Sequence, residues 1–192
     1  MIRMETPRLT IREHTEGDLA DYHRILTDPV AMFWLPGLRS GGEEETRARL
    51  MKVISEQRDP HRTRWFFRIE ETESGRYIGE IGYSAVQEGP DGTVVDLGYF
   101  ILPAFWRRGI AAEAATRVIR YAFEQGRVEV VTAACFAENA GSERVMRRCG
   151  MSEDAGCRHM EAFNGENRLR IGYRLTRSDW LRQQARADAE RL

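Results

Sequence analysis

Residues 97–114 read LGYFILPAFWRRGIAAEA. The run ends a β-strand over Val94–Ile101, passes a proline and an Arg-Arg-Gly turn, and opens an alanine-rich helix. Ala111, Ala114, Ala115, Val118, Ile119, Ala122 and Phe123 recur at three-and-four spacing, the mark of one buried helical face. A strand that hands small residues to a helix N-terminus leaves a row of backbone N–H groups at the positive end of the helix dipole. That arrangement suits a phosphate or diphosphate. Gly109 and Ala111 let an anion approach the main chain, and Arg107 and Arg108 add positive charge beside it.

Neither Gly-x-x-x-x-Gly-Lys-Ser/Thr nor Gly-x-Gly-x-x-Gly occurs in the chain, which excludes the two common nucleotide loops. The segment Trp106–Ala111 instead resembles the acetyl-CoA motif Gln/Arg-x-x-Gly-x-Gly/Ala of the GNAT superfamily of N-acetyltransferases. Trp106 departs from that motif at its first position. Together with Gly98, Tyr99, Pro103, Phe105, Glu113 and Ala114, this departure resembles the RimJ/RimL branch.

Residues 136–151, FAENAGSERVMRRCGM, follow a β-branched run of Val128, Val130, Val131 and Thr132. They read as a strand end, a cap and a short helix. Asn139 is the cap, Ser142 lies in the first turn, Val145 and Met146 face inward, and Gly150 closes the helix. Alone, Asn139 and Ser142 are an ordinary helix cap. Downstream of the first motif they resemble the superfamily's second one: Asn, Ser three residues on, then Gly before a large apolar residue, here Met151.

Outward from these blocks the chain is continuous, without repeats or low-complexity linkers. Arg8–Glu13 reads as a first strand, and Thr15 with Asp18 as a capping box for a helix bearing Leu19, Tyr22 and Leu26 and stopped by Pro29. Residues 31–42 read as a mobile loop. Glu43–Gln57 is a second helix with acids in its first turn and the i,i+4 pairs Glu43–Arg47 and Glu45–Arg49. Strands follow at Arg64–Glu70 and Tyr77–Val86, with turns at Gly75 and Gly89-Pro90-Asp91-Gly92. His159–Ala162 and Leu169–Leu175 form a final hairpin around Asn164-Gly165. Thr176 and Asp179 start a last helix that becomes too polar after Leu181 to be expected to dock. The element order points to an α/β (α+β) fold, and the resemblance implies one N-acetyltransferase domain over residues 1–192 with its core at 7–182. The resemblance implies a mixed, mostly antiparallel sheet of about seven strands, splayed between its fourth and fifth strands and flanked by about four or five helices.

Composition agrees with one domain. The chain has 192 residues, 42% apolar and 31% charged, with a net charge of −1. That balance gives no basic excess to hold a nucleic-acid backbone. No apolar run approaches the roughly 20 residues of a membrane span, and no signal-peptide h-region opens the chain. Three unevenly spaced cysteines argue against a disulfide framework, and four scattered histidines against a metal site. A cytoplasmic protein, monomer or homodimer, is expected.

The resemblance implies acetyl-CoA as co-substrate, no metal, and a primary amine as acceptor. It puts Phe100, Ile101 and Leu102 against the pantetheine arm and acetyl group. The diphosphate falls on the turn of Arg107, Arg108, Gly109, Ile110, Ala111 and Ala112. Asn139 falls on the pantetheine or the acceptor, and Ser142 near the sulfur, as candidate general acid. Many members use a tyrosine there, and the sequence offers none at an equivalent position. Asp96 is the first candidate base and Glu80 its rival; solvated strand charges are the ordinary alternative for both. An α-amine of pKa about 7.7–8 is already about a tenth neutral at pH 7, whereas a lysine near 10.4 is neutral at about one part in a few thousand. The lack of an unmistakable base therefore leans towards an N-terminal or amino-acid amine. A small-molecule amine, or a non-catalytic CoA-binding relative, is the alternative. Cys135 reads as a buried structural thiol. Phe33 and Trp34 read as packing or a substrate lid, and Glu43–Glu45 as a helix start or an acidic acceptor lining. Arg144, Arg147 and Arg148 read as a solvated face or phosphate ligands.

Overall fold

The computed structural model describes residues 1–90, 92–125 and 127–190. Leu9 and Ile11 are buried in β2 (Leu9–Arg12), which is the expected first strand. A three-residue strand ahead of it, β1 (Arg3–Glu5), pairs antiparallel with β2 and sets Met4 opposite Ile11. Ordered structure thus begins before residue 7. The Asp18 carboxylate accepts the Thr15 N–H at 2.8 Å, the expected box, ahead of α1 (Leu19–Thr27). Ile25 joins Leu26 in the core of α1, while Leu19 and Tyr22 are only half-buried.

The segment read as a loop contains a short 3-10 turn, Pro36–Leu38, and buries Met32. Helix α2 (Glu43–Gln57) carries both expected ion pairs, at 2.9 and 2.6 Å. β3 (Arg64–Glu71) and β4 (Tyr77–Gly89) meet across Gly75, whose φ of +68° suits glycine. Both the end of β4 and the start of β5 (Gly92–Ile101) extend past their expected limits. Asp91, in the turn between them, lies outside the described residues.

Helix α3 (Ile110–Gln125) buries Ala114, Ala115, Val118, Ile119, Ala122 and Phe123 as expected, while Ala111 is only half-buried. β6 (Val128–Phe136) leads to α4 (Ala140–Arg148). The last hairpin is longer than expected: β7 (Ser152–Phe163) and β8 (Glu166–Thr176) turn at Asn164 (φ +51°) and Gly165 (φ +83°). Helix α5 (Arg177–Ala189) is capped by Thr176 and buries Trp180, whose ring tilts against Phe123 at 5.3 Å. Past Leu181 it docks through a polar contact: the Gln183 amide donates to the Gly150 carbonyl at 2.9 Å. A hydrophobicity reading does not register such a contact.

The described residues form one sheet of eight strands, ordered β1-β2-β3-β4-β5-β6-β8-β7. Its β5–β6 pair is parallel; β1–β2, β2–β3, β3–β4, β6–β8 and β7–β8 are antiparallel. β1 is the strand beyond the expected seven, so the expected fourth and fifth strands are β5 and β6. Their ladder runs from Thr93 opposite Val128 to Asp96 opposite Thr132 and ends there, although β5 continues to Ile101 and β6 to Phe136.

The chain divides into two compact units, Met1–Ser84 with Gly98–Val118, and Ala85–Leu97 with Ile119–Leu192. The first is centred on Leu9, Ile11, Ile25, Leu50, Phe67 and Ile69. The second is centred on Phe123, Val131, Tyr173 and Leu175.

Candidate functional site

Within the first unit, β5 delivers the chain to a tight turn. The Leu102 N–H donates to the Ile78 carbonyl at 2.9 Å, so this residue's amide, expected against the cofactor, is already used by β4. Alternation along a strand then directs the Ile101 amide to the opposite edge. Gly79 lets the strands come this close, since a Cβ there would overlap the Phe100 carbonyl and the Ile101 backbone. A 3-10 turn, Pro103–Phe105, follows and buries Phe105. The guanidinium groups of Arg76 and Arg108 lie over its ring at 4.7 and 5.6 Å. The Trp106 indole N–H donates to the Ile101 carbonyl at 2.7 Å. The departure from the motif at this position therefore ties the turn back to the strand end.

Arg107 and Gly109 both take positive φ, +63° and +76°. For Gly109 this is free of strain, whereas a non-glycine residue there incurs a cost of about 1–2 kcal/mol. The Gly109 carbonyl accepts the Glu113 N–H at 3.0 Å, which fixes Gly109 as the cap of α3. The first amides of a helix have no partner within it. Among the described residues, no side chain answers those of Gly109, Ile110 and Ala111. With Arg107 and Arg108 exposed beside them, the turn is an electropositive seat for an anion. Its main chain and charges fit a diphosphate.

The turn is also held from a distance. Arg8 pairs with Glu113 at 2.6 Å and donates to the Arg108 carbonyl at 3.1 Å. Glu113 further accepts the Thr6 hydroxyl at 2.5 Å and the Arg8 N–H at 3.3 Å. Burial alone would raise the Glu113 carboxyl, but the hydrogen bonds from Thr6 and Arg8 outweigh it and hold it below the ordinary value. Sequence reading recognised Glu113 and missed Arg8 and Thr6.

Within the second unit, Asn139 Oδ1 accepts the Ser142 N–H at 3.1 Å, and the Asn139 N–H donates to Phe136 O at 2.8 Å. Gly150, at φ +78°, ends α4, with the Met151 N–H on the Met146 carbonyl at 3.2 Å. Met146 is buried; Val145 is only half-buried. Arg147 is engaged by Glu143 at 2.9 Å and lies over the Tyr173 ring at 5.2 Å. Cys135 is buried near the Ser142 hydroxyl, and burial pushes its thiol up to about 11, as suits an inert structural thiol. Tyr173 packs beside α4 as well, but it donates to Glu143 at 2.9 Å and is pushed up to about 12, chiefly by burial.

The two candidate bases lie in different surroundings. Val95 and Leu97 are buried while Asp96 and Gly98 are exposed, so Asp96 lies on the face of β5 turned away from the core. Its carboxylate accepts the Thr132 hydroxyl at 2.9 Å. Although solvent reaches it, surrounding protein raises its pKa above the ordinary 3.8, against the opposing pull of Thr132 and Arg170. Glu80 is instead enclosed in the first unit: the Tyr77 hydroxyl holds one oxygen at 2.5 Å, and His14 Nε2 lies 2.7 Å from the other. Each of the two oxygens therefore has a hydrogen-bonding partner.

Among the described residues no group of three or more His, Cys, Asp or Glu side chains could hold a metal ion, and no helix is long and apolar enough to cross a membrane. A profile describing an acetyltransferase (GNAT) domain matches residues 8–152. The chain belongs to this family, and it is an acetyl-CoA-dependent N-acetyltransferase. The uncharacterized N-acetyltransferase YoaA of Bacillus subtilis is 27% identical over 164 residues, which is 84% of this chain and 89% of YoaA. Two solved structures share the fold. RimL, the ribosomal L7/L12 α-N-protein acetyltransferase in complex with coenzyme A, has a TM-score of 0.76 at 17% identity, covering 91% of this chain and 98% of its own. Spermidine N-acetyltransferase from Vibrio cholerae, in complex with coenzyme A and spermine, has a TM-score of 0.78 at 18% identity, covering 92% and 99%.

Proposed function

We propose that this enzyme acetylates a primary α-amine, foremost the N-terminus of a protein or peptide. The observation that carries this reading is the state of the carboxylates. The enclosed Glu80 is held by Tyr77 and His14, which leaves Asp96, an exposed carboxylate whose pKa the surrounding protein raises, as the base. A carboxylate is a weak base beside an amine. It suits an amine already about a tenth neutral at pH 7 and is poorly matched to a lysine near 10.4. The acids Glu43 and Glu45 are paired with Arg47 and Arg49, which argues against an acidic lining built for a polyamine.

When bound, acetyl-CoA supplies the activated acetyl thioester. In this reading the amides of Gly109, Ile110, Ala111 and Ala112, with Arg107 and Arg108, hold the diphosphate. The Ile101 N–H, on the edge of β5 away from β4, and the neighbouring Phe100 and Leu102 line the pantetheine arm. Asp96 accepts a proton from the amine, the nitrogen attacks the acetyl carbonyl directly as the C–S bond breaks, and the Ser142 hydroxyl passes its proton to the departing thiolate while regaining one from solvent. Asn139 orients Ser142 through its cap bond to the Ser142 N–H. The similarity to an α-N-protein acetyltransferase supports the acceptor class, and in this reading the enzyme acts in the cytoplasm.

The test is thiol release from acetyl-CoA with three acceptors: a peptide with a free N-terminus, an Nα-blocked lysine peptide, and spermidine. The free N-terminus should give the highest kcat/KM. Asp96→Asn should reduce the α-amine rate by less than tenfold and the lysine rate by more. Because the base form disappears as pH falls through its pKa, the acidic limb of the profile should sit above that of an ordinary aspartate. Preference for spermidine or for the blocked peptide would refute the reading.

A further inference from the structure

The Arg8 guanidinium reaches across the chain to two parts of one turn, the Arg108 carbonyl at 3.1 Å and the Glu113 carboxylate at 2.6 Å. A peptide unit is planar and trans, so its carbonyl and its N–H point in opposite directions. Fixing the Arg108 oxygen on Arg8 therefore fixes the direction of the Gly109 N–H, away from Arg8. The flanking residues make this restraint necessary. Arg107 and Gly109 both adopt left-handed backbone, and the peptide between Arg108 and Gly109 would otherwise be free to rotate. Glu113, one turn into α3, holds the guanidinium in place and is itself held by the Thr6 hydroxyl and the Arg8 N–H. Arginine suits this task because its planar fork can engage two acceptors at a fixed angle, which a lysine ammonium cannot.

We infer that Arg8 is a positioning residue for cofactor recognition: anchored by Glu113, it aims the Gly109 amide at the diphosphate of coenzyme A. The inference rests on the reading of the 107–112 turn as the diphosphate site. It explains why an arginine next to the first core strand and a glutamate in the first turn of a helix over a hundred residues later occur together in this chain.

The experiment is calorimetric titration of the full-length protein with coenzyme A and with pantetheine, which lacks the diphosphate, together with acetyl-CoA kinetics. For Arg8→Ala the preference for coenzyme A over pantetheine should fall roughly tenfold, the scale of one charge-assisted hydrogen bond. KM for acetyl-CoA should rise by about the same factor, with kcat changed much less. Arg8→Lys keeps the charge and loses the fork, so it should recover part of the loss. An unchanged preference in Arg8→Ala would overturn the inference, and so would equal weakening towards both ligands, the result of a merely structural role. Should Arg8→Ala fail to fold, Glu113→Gln carries the same test, with a smaller loss of preference expected and an unchanged preference again decisive. A wild-type protein that binds pantetheine as tightly as coenzyme A would instead refute the diphosphate site itself.

Discussion

At Asn139 the start of a helix is answered from within: the cap's own oxygen takes the Ser142 N–H, and the chain needs nothing remote. At the start of α3 the amides of Gly109, Ile110 and Ala111 have no side-chain partner among the described residues, and the turn is tied down by Arg8 from far upstream. The first arrangement is a closed cap, its Ser142 N–H bonded within the same turn. The second is an open cap flanked by the exposed side chains of Arg107 and Arg108. Two motif blocks of similar appearance thus divide the work, one stabilising itself and the other depending on long-range bonds to keep polar groups unsatisfied yet aimed.

The largest expected effect tests the open cap. Gly109→Glu puts a side chain on left-handed backbone and a carboxylate among donors meant for phosphate. Coenzyme A affinity should fall by about a hundredfold or more in calorimetry. Retained affinity would remove the turn from the site.

Ser142→Ala distinguishes hydroxyl from cap. The cap bond ends on the Ser142 main-chain N–H, so the helix keeps it while the candidate acid is lost. A drop in kcat of about tenfold to a hundredfold, with the coenzyme A Kd nearly unchanged, is expected from steady-state rates and titration. Wild-type turnover would discard Ser142 as the acid.

Asn139→Ala breaks the closed cap itself. Chemical denaturation should report a loss of about 1 kcal/mol. If the residue is a cap and no more, coenzyme A affinity should follow that loss no further than stability does. A large fall in affinity at unchanged stability would show direct contact.

The smallest effect concerns acid. Glu113 has a lowered folded-state pKa, so it contributes stability above its ordinary 4.5 and loses it as pH falls through the folded value. Its partner Arg8 is half exposed, which keeps the contribution small. Wild type and Glu113→Gln should therefore differ slightly in melting temperature at neutral pH and converge in acid. A difference that grows with falling pH would contradict the ion pair.

The sequence was most legible where structure is local. The segment from β5 through the turn to α3 could be read because apolar spacing, Pro103 and Gly109 each act within a few residues. The limits of α2 followed from acids in its first turn and pairs four residues apart. What escaped the reading depends on partners distant in sequence. β1 is three residues long and earns its place only by burying Met4 opposite Ile11. The left-handed Arg107 carries no glycine to announce it. The contact between Glu80 and His14, which lies far upstream, was not legible either. The start of β7 is mostly exposed and polar, so no alternation marks it.

The most direct measurement is amide chemical-shift mapping of the 15N-labelled protein as coenzyme A is added. The account predicts that Gly109, Ile110 and Ala111 move most among backbone amides, and that pantetheine leaves those three nearly still. Shifts confined to other parts of the chain, with those three resonances unmoved by saturating coenzyme A, would contradict it.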